Sequence, residues 1–282
     1  MELSSDYPFE GLIAPFALKD KVAVVTGAAG LLGRQHCYAL AQAGAHVVAT
    51  DLDGEACETL IEQIVGKCRV GGMAVAADVS QGEDIRGLQR RASERFGRVD
   101  ILVNNAALND KVEDRHSALP VPFEEYPLSD WKQALDVNLT GTFLCCQVFG
   151  AGMARCRRGS IINVASTYGI VGPDQRIYRD NAGHQTLYKS PAYSATKAAI
   201  IGLTRYLAAY WGRVGVRVNT LSPGGVRTTQ DSQFVTNYSE RTPLGRMASP
   251  DDYRGAIVYL ASDLSSYVTG TNLVVDGGWT AW

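Results

Sequence analysis

From residue 21 to residue 278 the chain alternates seven short apolar runs with longer helical stretches. The runs read KVAVVT (21–26), HVVATD (46–51), MAVAADV (73–79), VDILVNNA (99–106), GSIINVAS (159–166), VRVNTLSP (216–223) and TNLVVDGG (271–278). Strands that are apolar on both sides must be covered on both faces, and that is a property of parallel sheets with crossover helices. Right-handed crossovers then wind such a chain in two directions from its first strand. The pattern predicts an α/β fold: a single doubly wound Rossmann domain, with a seven-stranded parallel sheet and helices on both faces. Residues 1–20 read as an N-terminal extension and 21–282 as the domain, a size that one large α/β unit fills.

Within that frame, Ser80 and Glu83 have capping-box spacing ahead of a helix over 82–97, and SPDDY at 249–253 sets Ser and Pro at another helix start. A long helix is expected from 129 to 153, and a second over 192–212. Two connections, 108–127 and 173–191, are longer than such a fold needs. Both follow strand C-termini, where ligands bind in open α/β sheets.

The bulk properties exclude several classes. Net charge is -2 and the pI is near 6.1, so nothing in the balance favours nucleic acid or an anionic membrane. The apolar runs are short for a bilayer span, and the first residues lack a basic stretch followed by an apolar one. The six cysteines form no CxxC pair and the four histidines no ligand pair. The expectation is a cytoplasmic protein with reduced thiols and no metal.

VVTGAAGLLG places Gly27, Gly30 and Gly33 at the first strand-to-helix turn. Such glycines let the backbone turn tightly, approach a pyrophosphate and pack helix on strand, while the helix N-terminus at Leu31 and Leu32 offers N–H groups to phosphate. Asp51 ends the second strand, 18 positions after Gly33, with Leu52 following. A carboxylate there accepts from adenosine ribose hydroxyls and repels a 2′-phosphate, so NAD is favoured over NADP. Asp53 competes for that role. Arg34, inside the first helical turn, is discounted as a 2′-phosphate ligand.

Tyr193 and Lys197 are four apart on the long helix and therefore share a face. A neighbouring ammonium favours the phenolate of a tyrosine, which is otherwise a poor base near neutrality. The pair alone is common on helices and needs a third group.

TGAAGLLG (26–33), NNAA (104–107), Asn138 in DVNLTGTF, Ser166 in SIINVAS, YSATK (193–197), SPGGVRT (222–228) and VTGTNLVVDGG occur in order. Together they resemble the short-chain dehydrogenase/reductase family over residues 21–278. The resemblance implies hydride transfer between a carbinol carbon and nicotinamide, with Tyr193 as general acid/base, Lys197 holding the ribose and lowering the tyrosine pKa, and Ser166 bonding the reacting oxygen. Asn138 is implied to position a water behind Lys197. Asn104 would support the fourth strand, with Asn105, Ala106 and Ala107 beside the cofactor. Asp78 and Val79 would meet the adenine, and Pro223, Gly224, Val226 and Thr228 the nicotinamide end. The family also implies a homo-oligomer, dimer or tetramer, through its two long helices.

Two departures stand out. The middle glycine comes one place early, a spacing closer to epimerases and dehydratases, which keeps a sugar or sugar-nucleotide epimerase or dehydratase with transiently used NAD as the alternative. Ser166 and Tyr193 are 27 positions apart because of the 173–189 insertion. With STYGIVGPDQRIY and VVDGGWTAW, that insertion resembles a subgroup associated with flagellin and surface-polysaccharide sugar modification. Lys111, Arg115, His116, Asp174, Arg176, Arg179 and His184 lie on the two insertions and suggest a polar, anionic or nucleotide-linked sugar as the small-molecule substrate. Residues 228–246 hold the position of a substrate lid, with Phe234 and Tyr238 as closing residues.

Overall fold

The computed structural model describes residues 17–109 and 120–282. Strands β1 (Val22–Thr26), β2 (His46–Asp51), β3 (Gly72–Ala76), β4 (Ile101–Asn104), β5 (Gly159–Val164), β6 (Val216–Pro223) and β7 (Asn272–Val275) form one parallel sheet. Their order is β3-β2-β1-β4-β5-β6-β7, so the winding direction reverses between β1 and β4. The expected α/β fold is found, and each strand lies within the run that predicted it except β3, which starts one residue earlier at Gly72.

The period of two along each strand divides the core. Ala23, Val25, Val47, Ala49, Ile101, Val103, Ile162 and Val164 face one way. They pack on helices α1 (Leu31–Gln42), α2 (Gly54–Cys68) and α8 (Arg254–Ala261) through Leu40, Leu60, Ile64 and Ile257. Val22, Val24, Val48, Leu102, Ile161 and Val218 face the other way. They meet α3 (Gly82–Phe96), α5 (Gly141–Arg155) and α6 (Pro191–Trp211) through Leu88, Phe149 and Trp211. Each fully buried Val, Leu or Ile among them contributes about 1.5–3 kcal/mol. Where α5 crosses α6, a Cβ on Gly150 would meet Trp211 Cη2 at 2.1 Å, so only glycine admits that indole.

The expected long helix is continuous over α4 (Leu128–Ala134), a π-helical segment Leu135–Thr140 and α5. By length and composition alone the run Leu128–Arg155 could cross a membrane, which short-run inspection of the sequence misses. Here Cys145, Cys146, Phe149 and Met153 turn its apolar side onto the sheet. One local expectation is corrected. No Ser80–Glu83 capping box forms: the Ser80 hydroxyl donates to Asp78 Oδ1 at 2.8 Å, and Glu83 pairs with Arg86. A carboxylate two residues upstream outcompetes the helix end for that hydroxyl. At 249–253 the expected start does form, with Ser249 N donating to Asp252 Oδ2 at 2.8 Å.

Candidate active site

A cleft of about 1000 Å³ opens over the C-terminal ends of the strands, at the switch between β1 and β4. Gly27, Gly30, Leu31, Leu32, Asp51, Leu52, Asp78, Val79, Asn105, Ala106 and Ala107 line one end. Ser166, Tyr193, Lys197, Pro223, Gly224, Val226 and Thr228 line the other. Of the residues expected for catalysis or cofactor binding, Gly33, Asn104 and Asn138 do not reach its wall.

The first end is built around the β1–α1 turn. Gly27 has φ +61°, in the left-handed region, and a Cβ on it would sit 2.7 Å from Ala106 Cα. The turn is therefore pressed against the exit of β4. Asn105 Nδ2 donates to Thr26 O and Gly27 O, each at 3.0 Å, while Thr26 Oγ1 accepts from Asn105 N and Ala106 N. Gly33 is a packing residue: its Cβ would stand 2.1 Å from Gly27 O. Ala29 N donates to Asp51 Oδ2 at 3.0 Å, holding that carboxylate at the lip of the turn. Asp53 is used differently, as the cap of α2, accepting from Ala56 N at 2.9 Å. Arg34 Nε donates back to Ala29 O at 2.8 Å, so its guanidinium braces the turn.

These features fit a dinucleotide. Helix α1 starts with no acidic residue in its first turn, leaving its N–H groups and dipole to an anion. The side-chain-free cradle at Gly27 and Gly30 admits a phosphate, and Asp51 stands where ribose hydroxyls would be read.

The second end depends on how β5 is joined to α6. Ser166 follows β5 in extended conformation and is 6% exposed, with its Oγ accepting from Tyr168 N at 3.2 Å. In the next turn a Cβ on Gly169 would fall 2.6 Å from the Lys197 carbonyl carbon. That close approach seats the Ser166 turn on the backbone of α6. Ser190 caps α6 by accepting from Tyr193 N at 3.2 Å, and Pro191 opens the helix. Lys197 is buried, donates to Val164 O at 2.7 Å, and lies 5.6 Å from the centre of the Tyr193 ring. Burial pushes its ammonium down to about 7.

Asn138 sits in the π-helical segment, fully buried. Its Oδ1 accepts from Leu108 N at 2.7 Å, and its Nδ2 donates to Leu108 O and Thr196 Oγ1. The side chain clips the chain leaving β4 onto α6. Asn104 likewise works beneath the cleft, donating to Asn163 Oδ1, whose own amide donates to Thr204 Oγ1.

The insertions deliver different residues from those the sequence suggested. Lys111, Arg115 and His116 lie outside the described residues. Arg176 and Arg241 both pair with Asp174, Arg179 donates to Gln185, and His184 pairs with Asp180. None of these lines the cleft. Lys189 does. Its Nζ stands 4.5 Å from the centre of the Tyr193 ring and bonds Asn109 Oδ1. Tyr168 and Tyr178 join it on the wall, their hydroxyls 3.1 Å apart. The lid contributes helix α7 (Ser232–Glu240). From it Phe234 and Tyr238 line the cleft, and Tyr238 stacks on Trp279 at 4.2 Å. A tryptophan in the WTAW ending thus packs against α7.

A family model described as enoyl-(acyl carrier protein) reductase matches residues 27–280. The D-threitol dehydrogenase of Mycolicibacterium smegmatis is 37% identical over 99% of this chain and 97% of its own. The 2,5-dichloro-2,5-cyclohexadiene-1,4-diol dehydrogenase of Sphingobium indicum is 34% identical over 94% of this chain and 98% of its own. Among solved structures, a gluconate 5-dehydrogenase from Burkholderia cenocepacia, in complex with NADP and tartrate, superposes with a TM-score of 0.83. It is 30% identical and covers 96% of this chain and 99% of its own. The chain belongs to the short-chain dehydrogenase/reductase family. It is accordingly an NAD(P)-dependent oxidoreductase acting on CH–OH groups.

Proposed function

We propose that the protein is an NAD-linked dehydrogenase that interconverts a secondary alcohol and a ketone on a small polyol or sugar-like substrate. The carrying observation is that one cleft holds Asp51 at one end and Ser166, Tyr193 and Lys197 at the other. Bound nicotinamide supplies the hydride acceptor or donor. The chain's residues do the rest. Gly27, Gly30 and the start of α1 take the phosphates, and Asp51 takes ribose hydroxyls and disfavours a 2′-phosphate. Ser166 Oγ holds the reacting oxygen. Tyr193 removes or returns the hydroxyl proton, and Lys197, clamped by Val164 O, keeps the phenolate accessible near neutral pH. Asn138 keeps the β4 exit fixed to α6 so that both ends stay in register. The aromatic lid closes over the substrate and limits water.

Several observations support a free polyol over a nucleotide sugar. Arg176 and Arg179 of the second insertion are paired away from the cleft, and Tyr168, Tyr178 and Lys189 are among its polar lining. Two relatives act on diols or polyols by name. The subgroup associated with flagellin and polysaccharide sugars gains no such support. In this reading residues 21–282 work as one unit carrying both cofactor and substrate elements. Copies associate through α5 and α6, where Phe143, Tyr206 and Tyr210 are exposed and the two tyrosine rings stack.

The test is oxidation of a polyol panel with NAD and NADP, followed at the absorbance of reduced cofactor. Net NADH from a polyol supports the reading. Product formation with no net NADH would instead mark an epimerase or dehydratase.

A further inference from the structure

Lys189 is a second ammonium at the proposed reacting tyrosine, and the fold goes to some length to put it there. The residue is 7% exposed although its side chain lines the cleft. Its backbone is gripped from both sides by one amide. Lys189 N donates to Gln175 Oε1 at 2.9 Å, and Gln175 Nε2 donates to Lys189 O at 3.4 Å. Gln185 Nε2 ties the same loop by donating to Gln175 O and Leu187 O, each at 2.7 Å. Directly after Lys189, Ser190 begins α6 and meets the Tyr126 hydroxyl at 2.8 Å. The side chain then reaches Asn109 on the opposite connection. The result joins both long connections beside Tyr193.

An ammonium is costly to bury, and a loop that only needed closing could use an apolar residue. It carries three donors, suited to oxygen ligands. The reacting oxygen belongs to Tyr193 and Ser166. With Nζ 4.5 Å from the ring centre, the next oxygen along a substrate, on the adjoining carbon, comes within reach of Lys189. We infer that Lys189 is a specificity-determining residue that binds the oxygen vicinal to the reacting carbinol, so that the site selects vicinal diols and their hydroxyketones over simple secondary alcohols. This rests on the dehydrogenase reading above and names its substrate class.

The experiment compares threitol, the vicinal butanediol and secondary butanol, the last two sharing one carbon skeleton, in wild type and Lys189→Met. Wild type is expected to favour the butanediol in kcat/KM. Lys189→Met is expected to lose about 10- to 100-fold of that preference, the range of a hydrogen bond to a charged donor, mainly through a raised KM for the diols. If Lys189→Met does not fold, as judged by its melting curve, Lys189→Gln is used, with the same expected collapse. Equal losses on diol and monoalcohol would overturn the inference, because they would place Lys189 on Tyr193 or on the fold. So would an active wild type that does not discriminate, and there the dehydrogenase reading would still stand. If no alcohol yields NADH, that reading falls and the inference with it.

Discussion

Ala29 N and Asp51 Oδ2 are 3.0 Å apart, joining the phosphate turn to the end of β2 by one hydrogen bond. The bond fixes where negative charge sits at the cofactor end of the cleft. A 2′-phosphate would have to approach a carboxylate that cannot swing away. Asp51→Ala is therefore expected to narrow the proposed NAD-over-NADP preference by at least about 10-fold, since removing a like charge at short range is worth more than 1 kcal/mol. Steady-state kinetics with both cofactors measure it. An unchanged ratio would mean that Asp51 serves only the turn.

The three glycines of the turn are not equivalent, and their differences make a second prediction. A Cβ on Gly33 would lie 2.1 Å from Gly27 O and 2.8 Å from Ala28 Cα, both backbone atoms that cannot yield. A Cβ on Gly30 would meet only Gly27 O, at 3.2 Å, and its φ of -71° suits any residue. Gly33→Ala should destabilise the fold by about 1–3 kcal/mol or more, as overpacking does. Gly30→Ala should cost much less in stability but weaken NADH binding by filling the phosphate cradle. Urea unfolding and NADH fluorescence titration separate the two. Equal unfolding midpoints for the variants would contradict this division of labour.

The same turn shows what the sequence could and could not reveal. The five inner strands were legible because both faces of each are buried, so their apolar runs are nearly continuous; the edge strands β3 and β7 are only partly buried but still carry short apolar runs. Gly27 and Asp51 stood out by their places at strand ends and the Tyr193–Lys197 pair by its helical spacing, while Ser166 was reached only through the family resemblance. Lys189 did not stand out. It precedes the helix cap, so no periodicity applies to it, and its placement depends on Gln175 and Asn109, which are 14 and 80 positions away. Arg176 and Arg179 misled for the converse reason. Their partners Asp174 and Gln185 are local, but composition alone cannot say which side of the loop faces the cleft.

Lys197 carries a stability cost that its proposed catalytic role would explain. Its ammonium is pushed from an ordinary value of 10.5 to about 7 by burial. Between those values the unfolded chain keeps a proton that the folded one has lost, so stability from this group rises with pH across that window. Below the lower value the penalty is present in full. Lys197→Met, close in volume, should abolish turnover yet raise the melting temperature near pH 7, with the advantage shrinking toward pH 10. Thermal melts of both proteins at several pH values check it. A methionine variant that melts lower throughout would show that the bond to Val164 O outweighs desolvation.

His36 supplies the opposite limb. It lies on α1, fully buried, and neither ring nitrogen has a hydrogen-bond partner among the described residues. Burial alone lowers it from 6.5 to about 4. Within that interval the unfolded state binds the proton and the folded state does not, so stability falls as the pH drops from 6.5 toward 4. The loss approaches about 3 kcal/mol at the acid end. His36→Leu removes both the proton site and two unpaired polar atoms from the packing between α1 and the sheet. The variant should match or exceed wild type at pH 7 and gain on it steadily through pH 6, 5 and 4.5, as read from urea midpoints at each pH. Parallel stability curves for the two proteins would show that some other group governs acid unfolding.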